Sequence, residues 1–377
     1  MIRPIPSAEP RARVLVTGGA GYVGSHTCKA LYAAGFDPIS YDNLSSGNRW
    51  AVRWGALEVG DILDVARLAR VMTACRPAAV IHFAAKALVG ESMRSPDLYW
   101  QINTAGSLAL LQAMQVANVD VIVFSSTSAV YGVPSSTPID EESSKSPANA
   151  YGASKLAAER MILDFAHAYN LKWACLRYFN AAGADPDGEI GEARAVETHI
   201  IPLALDAALG VGPPITVFGS DYPTPDGTAV RDYVHVSDLA DAHVSAVRHL
   251  LAGGASLELN LGTGEGHSVA EVLDTIERVT NKPVPRRAGC RRLGDPPELV
   301  ANPRRAQRVL GFEPKRSRLD TIVRDAWRWR VSTAGAWRQQ PAGDQHARHA
   351  MIAPSPGAGA IPNGVPARFA DRVGTPS

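Results

Sequence analysis

Residues 13–35 constrain the fold more than any other stretch of the chain. Arg13-Val14-Leu15-Val16-Thr17 is a short apolar run of strand type, and Gly18-Gly19-Ala20-Gly21-Tyr22-Val23-Gly24 follows it directly. The glycines at 18, 21 and 24 recur every third position, and Ser25 to Ala34 then reads as a helix closed by Gly35. Glycines let the backbone approach a ligand, and a helix start presents N–H groups that lack partners, so the unit suits a pyrophosphate. An ordinary glycine-rich turn is the bland alternative. A second strand, Phe36 to Tyr41, ends in Asp42-Asn43, about twenty residues past the glycine run. A carboxylate there bonds a ribose diol and repels a 2′-phosphate, which predicts NAD rather than NADP.

Strand-like and helical stretches alternate through the first half, which predicts an α/β fold with a doubly wound parallel sheet of Rossmann type. The strands are Ala56 to Val59, Ala79 to Phe83, Val121 to Phe124 and Trp173 to Tyr178. Helical spacing covers Asp64 to Ala74, Pro96 to Ala117 and Ala150 to Tyr169. His82 lies inside an apolar strand and reads as a core or cofactor-lining histidine. After Asn180 the pattern changes. A loop rich in Gly, Asp and Pro (Ala181 to Gly191) precedes a helix from Ile200 to Leu209, a strand at Ile215 to Phe218 and a loop at Asp221 to Gly227. Val236 to Leu251 reads as a helix and Leu257 to Leu261 as a return strand of the main sheet; Val269 to Val279 and Ser317 to Trp329 add helices. The expected division is a cofactor domain over 13–180, rejoined by about 232–262, and a smaller α/β substrate lobe over 181–231 and 263–331. The leader 1–12 and the tail 332–377 read as disordered, because their composition cannot bury enough surface to offset ordering entropy.

A formal charge of +1 with 20% charged residues gives no electrostatic case for nucleic acid. Four cysteines (Cys28, Cys75, Cys175, Cys290) lack metal-ligand spacing, so no metal is expected, and they read as reduced thiols of a cytoplasmic protein. No apolar run is long enough to span a membrane, and the leader has no apolar signal-peptide core.

The chemistry gathers around Tyr151-Gly152-Ala153-Ser154-Lys155, with Ser125-Ser126-Thr127 upstream. Residues four apart on a helix share a face, so the ammonium can sit near the phenol. A phenol titrates near ~10, and working as a base near pH 7 takes roughly 4 kcal/mol of help. A neighbouring cation supplies part of it, and a positively charged nicotinamide ring could supply more.

These motifs, with Gly60-Asp61-Ile62, Val89-Gly90-Glu91-Ser92, Leu176-Arg177-Tyr178-Phe179-Asn180 and the run from Gly227 to Val236, resemble the UDP-glucose 4-epimerase family of extended short-chain dehydrogenases/reductases. The likeness runs from about Val14 to Trp329. It implies reversible epimerisation at carbon 4 of a UDP-hexose: hydride passes to bound NAD and returns to the opposite face of a 4-keto sugar. Under it, Tyr151 matches the base, Lys155 the lysine that bonds the nicotinamide ribose and lowers the phenol, and Thr127 the hydroxyl on the reacting oxygen. Gly18, Gly21, Tyr22, Val23 and Gly24 match the pyrophosphate turn, and Asp42, Asn43, Asp61 and Ile62 the adenosine surroundings. Phe83, Ala84, Ala85, Asn103, Ser125 and Tyr178 match positions lining the cofactor. For the UDP-sugar, Asn180, His199, Phe218, Arg231, Tyr233, Arg292 and Asp295 match positions on the sugar, uracil, ribose and diphosphate. A planar guanidinium suits a diphosphate because it bonds two oxygens at once. The resemblance also implies a homodimer built on the helices 96–117 and 150–169.

Three positions depart from the commonest pattern. Ala87 stands where some members have a lysine, with Lys86 one residue earlier. His199 replaces an asparagine. Leu299 takes the place of the pocket's size gate, where a large aromatic excludes N-acetylated sugars and a tiny side chain admits them. Leucine is intermediate, so UDP-N-acetylhexosamine and UDP-pentose stay open beside UDP-glucose and UDP-galactose. A 4,6-dehydratase would carry an acid after Thr127, where Ser128 and Ala129 stand. A UDP-glucuronate epimerase or decarboxylase would need a receptor for the sugar carboxylate, which nothing in the second lobe calls for. A non-catalytic NAD-sensing protein would be free to lose Thr127, Tyr151 and Lys155, all of which are present.

Overall fold

The computed structural model describes residues 11–292 and 295–337. Strand β1 (Arg13–Thr17) leads into α1 (Tyr22–Ala33), followed by β2 (Asp37–Asp42), β3 (Ala56–Val59), α2 (Val65–Cys75) and β4 (Ala79–His82). Two short turns, α3 (Val89–Ser92) and α4 (Pro96–Tyr99), precede α5 (Gly106–Val116), β5 (Val121–Thr127), α6 (Ala150–Tyr169) and β6 (Lys172–Tyr178). The second half contributes β7 (Asn180–Ala182), α7 (Ile200–Ala208), β8 (Ile215–Phe218), β9 (Val230–Arg231), β10 (Tyr233–His235) and α8 (Val236–Leu251). It closes with β11 (Leu257–Leu261), β12 (His267–Ser268), α9 (Val269–Thr280), β13 (Arg286–Gly289), β14 (Glu298–Leu299), α10 (Arg304–Leu310) and α11 (Leu319–Trp337).

The main sheet is parallel throughout, in the order β11-β6-β5-β4-β1-β2-β3. Its inner strands are buried on both faces, which is why they read as unbroken apolar runs. Alternate residues feed opposite cores: Val14 and Val16 join Cys28 and Leu31 of α1 and Leu239 and Val247 of α8. Leu15 joins Leu68 and Met72 of α2, Leu110 of α5 and Ile162 of α6. A third core unites Ala204, Leu205, Val272, Ile276, Ile322 and Val323 from α7, α9 and α11. Ala306 and Phe312, in the stretch the sequence assigns to the smaller lobe, pack instead into the core beneath α1 and α8.

Several elements differ from expectation for identifiable reasons. Helix α1 starts at Tyr22 rather than Ser25, so the last glycine of the turn is already helical. Strand β5 runs past Phe124 to Thr127, because β6 pairs with it as far as Tyr178 and its hydroxyls find partners, Ser125 at Tyr178 of β6 and Ser126 at Glu159 of α6. The expected single helix over Pro96 to Ala117 is broken by a π-helical turn, Trp100–Ala105. Within that turn Asn103 is buried and bonds the backbone of Lys86 on both sides and the Ser154 hydroxyl. Such wide turns recur near functional sites. Helix α11 extends through Trp337, so the first residues of the expected disordered tail are helical. Arg11 places its guanidinium 4.7 Å from the centre of the Tyr32 ring. The rest of the expected disordered leader and tail lies outside the described residues. No helix among the described residues is long and apolar enough to cross a membrane.

Candidate active site

Strand order reverses between β1 and β4, and in open α/β sheets such a switch point opens a ligand crevice at the strands' carboxyl ends. Gly18 turns there with φ of +73°, a conformation that favours glycine, and an added Cβ would stand 2.7 Å from the Ala84 nitrogen. At Gly24 a Cβ would meet the Gly18 carbonyl oxygen at 2.2 Å. No side chain caps α1 at Gly21 and no acid stands in its first turn, so the N–H groups of Tyr22 and Val23 are left for an anion. The crevice therefore fits a dinucleotide pyrophosphate. Beyond it, Asp42 is buried at the end of β2 and accepts the N–H groups of Ala20 at 3.0 Å and Leu44 at 2.8 Å. Burial raises its carboxyl against those two bonds. An ionised carboxylate has about four acceptor sites, so room for a ribose diol remains. Asn43 donates to Asp61 at 2.9 Å, and Asp61 also accepts Leu63 N–H at 2.9 Å beside buried Ile62. On the near side the Thr17 carbonyl accepts the N–H groups of Phe83 and Ala84, which fixes the turn that leads to Ala85. Asn103 uses its side chain to fasten Lys86 and Ser154, as described above.

Farther along, β5 and α6 bring the reactive side chains together. Asn149 caps α6 by accepting the Gly152 N–H at 2.8 Å, which sets Tyr151 in the first turn. Thr127 Oγ1 accepts the Ala129 N–H at 3.1 Å, and its hydroxyl bears on the Tyr151 phenol, favouring the ionised form. Burial raises the phenol; the Thr127 hydrogen bond and the Arg194 charge oppose the rise. Ser125 and Tyr178 hydroxyls pair at 2.6 Å on the neighbouring strand ends. Lys155 departs from expectation. Its side chain shares the helix face with Tyr151 but runs inward, with Nζ 4.4 Å over the Phe124 ring. Burial pulls the ammonium down to about 7, with Glu159 holding it up in part.

Behind this surface stands a buried ion pair that the sequence reading missed. Arg177 Nε and Nη2 donate to Glu159 at 2.9 and 2.8 Å, Nη1 donates to Tyr131 at 3.0 Å, and Glu258 closes the group. Glu159 lies one turn beyond Lys155, so the pair ties α6 to β6 beneath the reactive face. A periodic helix pattern carries no mark of such a partner.

The remaining predicted residues form a second group. Arg231 pairs with Asp295, and its strand β9 runs in register with β14, which places Leu299 beside it. Arg292 lies over the Phe218 ring at 4.1 Å. Leu299 packs with Val130, Tyr131, Ile139, Leu156 and Phe179. Asn180 donates its backbone N–H to the Asp232 carbonyl, and Tyr233 is buried in the third core. Asp232 itself accepts from Thr263, Gly264 and Ala301, so the acid of the Arg-Asp-Tyr motif holds loops together.

His199 joins a network that sequence reading did not anticipate. Its Nδ1 lies 3.0 Å from Glu192 and 3.1 Å from Glu197, while Arg194 Nε donates to Glu192 at 2.7 Å. Burial pulls the imidazole down, but the two carboxylates outweigh it and lift it to about 9. The loop that carries this network is fastened from the opposite side. Tyr22 donates to the Gly183 carbonyl at 2.6 Å, and Asn48 to that of Ala193 at 2.9 Å. Lys29 places its ammonium within 2.8 Å of carboxylates on Asp185, Asp187 and Glu189.

Comparisons with known proteins agree with this geometry. The model of the NAD dependent epimerase/dehydratase family matches residues 14–262. A UDP-glucose 4-epimerase of Rhizobium leguminosarum bv. trifolii is 52% identical over 320 residues, covering 85% of this chain and 98% of its own. The crystal structure of UDP-glucose 4-epimerase from Brucella ovis in complex with NAD is 52% identical with a TM-score of 0.83, covering 84% of this chain and 97% of that one. The enzyme from Bifidobacterium longum, in complex with NAD+ and UDP, is 35% identical with a TM-score of 0.82, covering 86% and 99%. A glycine crevice backed by Asp42, the Thr127–Tyr151 pair at its far end and these likenesses place the chain in the NAD-dependent epimerase/dehydratase family.

Proposed function

We propose that this enzyme interconverts UDP-glucose and UDP-galactose at carbon 4, with Tyr151 as the base. The observation that carries the reading is that Thr127 at the end of β5 and Tyr151 in the capped first turn of α6 act on one another at the end of a crevice shaped for a dinucleotide. Bound there, NAD supplies a reversible hydride acceptor for carbon 4. Tyr151 takes the 4-hydroxyl proton and gives it back once the sugar has turned over. Thr127 holds the reacting oxygen against the phenol. Ser125, Tyr178 and Asn103 shape the nicotinamide side, and Asp42 receives the adenosine ribose. Arg231 and Arg292 hold the diphosphate, with Phe218 at the uracil end, Asp295 and Tyr233 orienting Arg231, and Asn180 and His199 facing sugar and phosphate. Tight binding at the nucleotide and loose binding at the sugar let the reacting centre rotate while its remote part stays anchored.

The described chain works as a cofactor domain with a smaller substrate lobe, along the division drawn from the sequence save that α10 and Phe312 belong with the cofactor domain. It acts as a homodimer in the cytoplasm. Exposed Trp100 and Leu108 on the α4–α5 run and Leu163 on α6 support a helix-to-helix contact between copies, and all four cysteines are free thiols. Light scattering that returned a monomer at micromolar concentration would remove the dimer. The catalytic reading is tested by a proton NMR time course with UDP-galactose and no added NAD, beside a parallel tube of UDP-N-acetylglucosamine. Formation of UDP-glucose is expected, and the second tube reports what Leu299 admits. Absence of conversion in both tubes, with NAD supplied, would overturn it.

A further inference from the structure

Five polar side chains run through the interior between the glycine turn and Tyr151: Thr17, His82, Ser107, Asn103 and Ser154, each at most 2% exposed. Thr17 ends β1 just before Gly18, and its Oγ1 lies 2.7 Å from Nδ1 of His82 at the end of β4. The other ring nitrogen, Nε2, lies 3.0 Å from Ser107 Oγ of α5. Every hydrogen along this path can be placed. Ser107 donates to the Asn103 carbonyl, which can only accept, so toward the ring Ser107 is the acceptor and Nε2 carries the hydrogen. Burial and the Lys155 charge hold the imidazole neutral, down at about 3, so Nδ1 accepts and Thr17 donates. A serine bonding back to the carbonyl four residues before it bends a helix, and here it does so at the π-helical turn. Beyond that turn, the N–H and C=O of Lys86 fix the Asn103 amide, whose Nδ2 also donates to Ser154 at 3.0 Å. Ser154 donates to the Tyr151 carbonyl at 2.8 Å, and Thr104 to the Ser154 carbonyl at 3.2 Å. Tyr99, one residue before the π-helical turn, sets its ring edge-on to that of Tyr151 at 6.3 Å.

We propose that His82, as the neutral Nε2–H tautomer, is a positioning residue for the reaction: its hydrogen bond to Ser107 holds the π-helical turn, and that turn seats Tyr151 at the crevice. The role rests on Tyr151 being the base. A histidine suits the place because one rigid ring accepts on one side and donates on the other, joining β1 to α5 with both partners satisfied. The turn that receives the pyrophosphate and the helix that carries the base thereby belong to one buried network, and a missing member weakens the rest of it.

The test compares wild type, His82→Gln, His82→Asn, Ser107→Ala and the double variant His82→Asn/Ser107→Ala as holoenzymes. A glutamine amide brings an N–H to the place of Nε2, whereas an asparagine amide reaches only the place of Nδ1, so the first keeps the bond to Ser107 and the second loses it. Expected for His82→Asn and for Ser107→Ala is a kcat down about tenfold, with KM for UDP-galactose within about twofold of wild type. His82→Gln returns most of the loss, and the double variant is no slower than either single one, because both cut the same bond. Nitrogen-15 NMR of labelled histidine in the wild type should show one ring, moved by Ser107→Ala, that is protonated at Nε2 and constant from about pH 5.5 to 8.5. Equal losses in His82→Gln and His82→Asn, losses that multiply in the double variant, or an unchanged kcat in His82→Asn overturn the proposal. So does a ring of the Nδ1–H form at this place, a readout that needs none of the His82 variants to fold. Failure of wild type to convert UDP-galactose would sink the catalytic reading instead, and the tautomer would still decide the link from His82 to Ser107.

Discussion

The two walls of the crevice are held in opposite ways. On one side Tyr151, Thr127 and Lys155 project from a capped helix and a buried strand, fixed from behind by the Arg177–Glu159 pair. On the other, residues 183–199 form an irregular loop with little core of its own, fastened by single side chains reaching from elsewhere: Tyr22, Lys29, Asn48 and Trp329. The frame owes its shape to burial and periodicity, which resist single changes. The loop owes its shape to charge and hydrogen bonds, which can be cut one at a time. An epimerase needs both: a base that does not move and a binding wall that can admit and release a nucleotide sugar.

Replacing Arg177 is the severest challenge to the frame. Arg177→Met leaves buried Glu159 without its cation, while Glu258 keeps Lys145 at 3.7 Å, and breaking a buried pair costs about 3–5 kcal/mol. Chemical denaturation should show that loss, and a change below about 1 kcal/mol would mean that packing alone holds α6. Thr127→Val keeps the shape and removes the hydroxyl that bears on the phenol, so kcat should fall by about 2 kcal/mol, roughly thirtyfold, with KM nearly unchanged. Equal kcat would release Thr127 from the chemistry.

Cutting the loop should do less to stability and more to local motion. Lys29→Met leaves Asp185, Asp187 and Glu189 facing one another, and hydrogen exchange over 183–194 should quicken by roughly tenfold while β5 and α6 keep their protection. Uniform acceleration across both walls would erase the distinction between them. The smallest effect concerns His199. Its folded pKa of about 9 exceeds the ordinary value of 6.5, so its ion pairs contribute fully below pH 6.5 and are lost as pH rises through 9. Because the side chain is half-exposed, the contribution stays under about 1 kcal/mol. His199→Asn should flatten the melting temperature over that window, and an unchanged slope would assign the pH dependence elsewhere.

The same contrast explains what could be read from the sequence. The strands of the main sheet, α6 and α8 were legible because burial imposes a period, and a period survives in one dimension. Leu257–Leu261 was even legible as a return strand. The break over Trp100–Ala105 was not, since it depends on Asn103 reaching Lys86 and Ser154, far along the chain. Nor was the direction of Lys155, because spacing puts two side chains on one face without fixing where each points. Gly191 to His199 carries no period at all. Its charged residues look like a solvated loop until the fold brings Tyr22, Asn48 and Trp329 to them. The tendency of α10 to rejoin the first core was hidden for a related reason, its seven residues being too few to show a face.

The central claim is that the chemistry resides on the framed wall, at Tyr151, while the cofactor is held by the glycine crevice. Purified Tyr151→Phe protein tests it most directly, assayed by proton NMR with UDP-galactose and then denatured to count released NAD. The account predicts no UDP-glucose above the blank and as much NAD as wild type releases. Interconversion at the wild-type rate by the phenylalanine variant would contradict it.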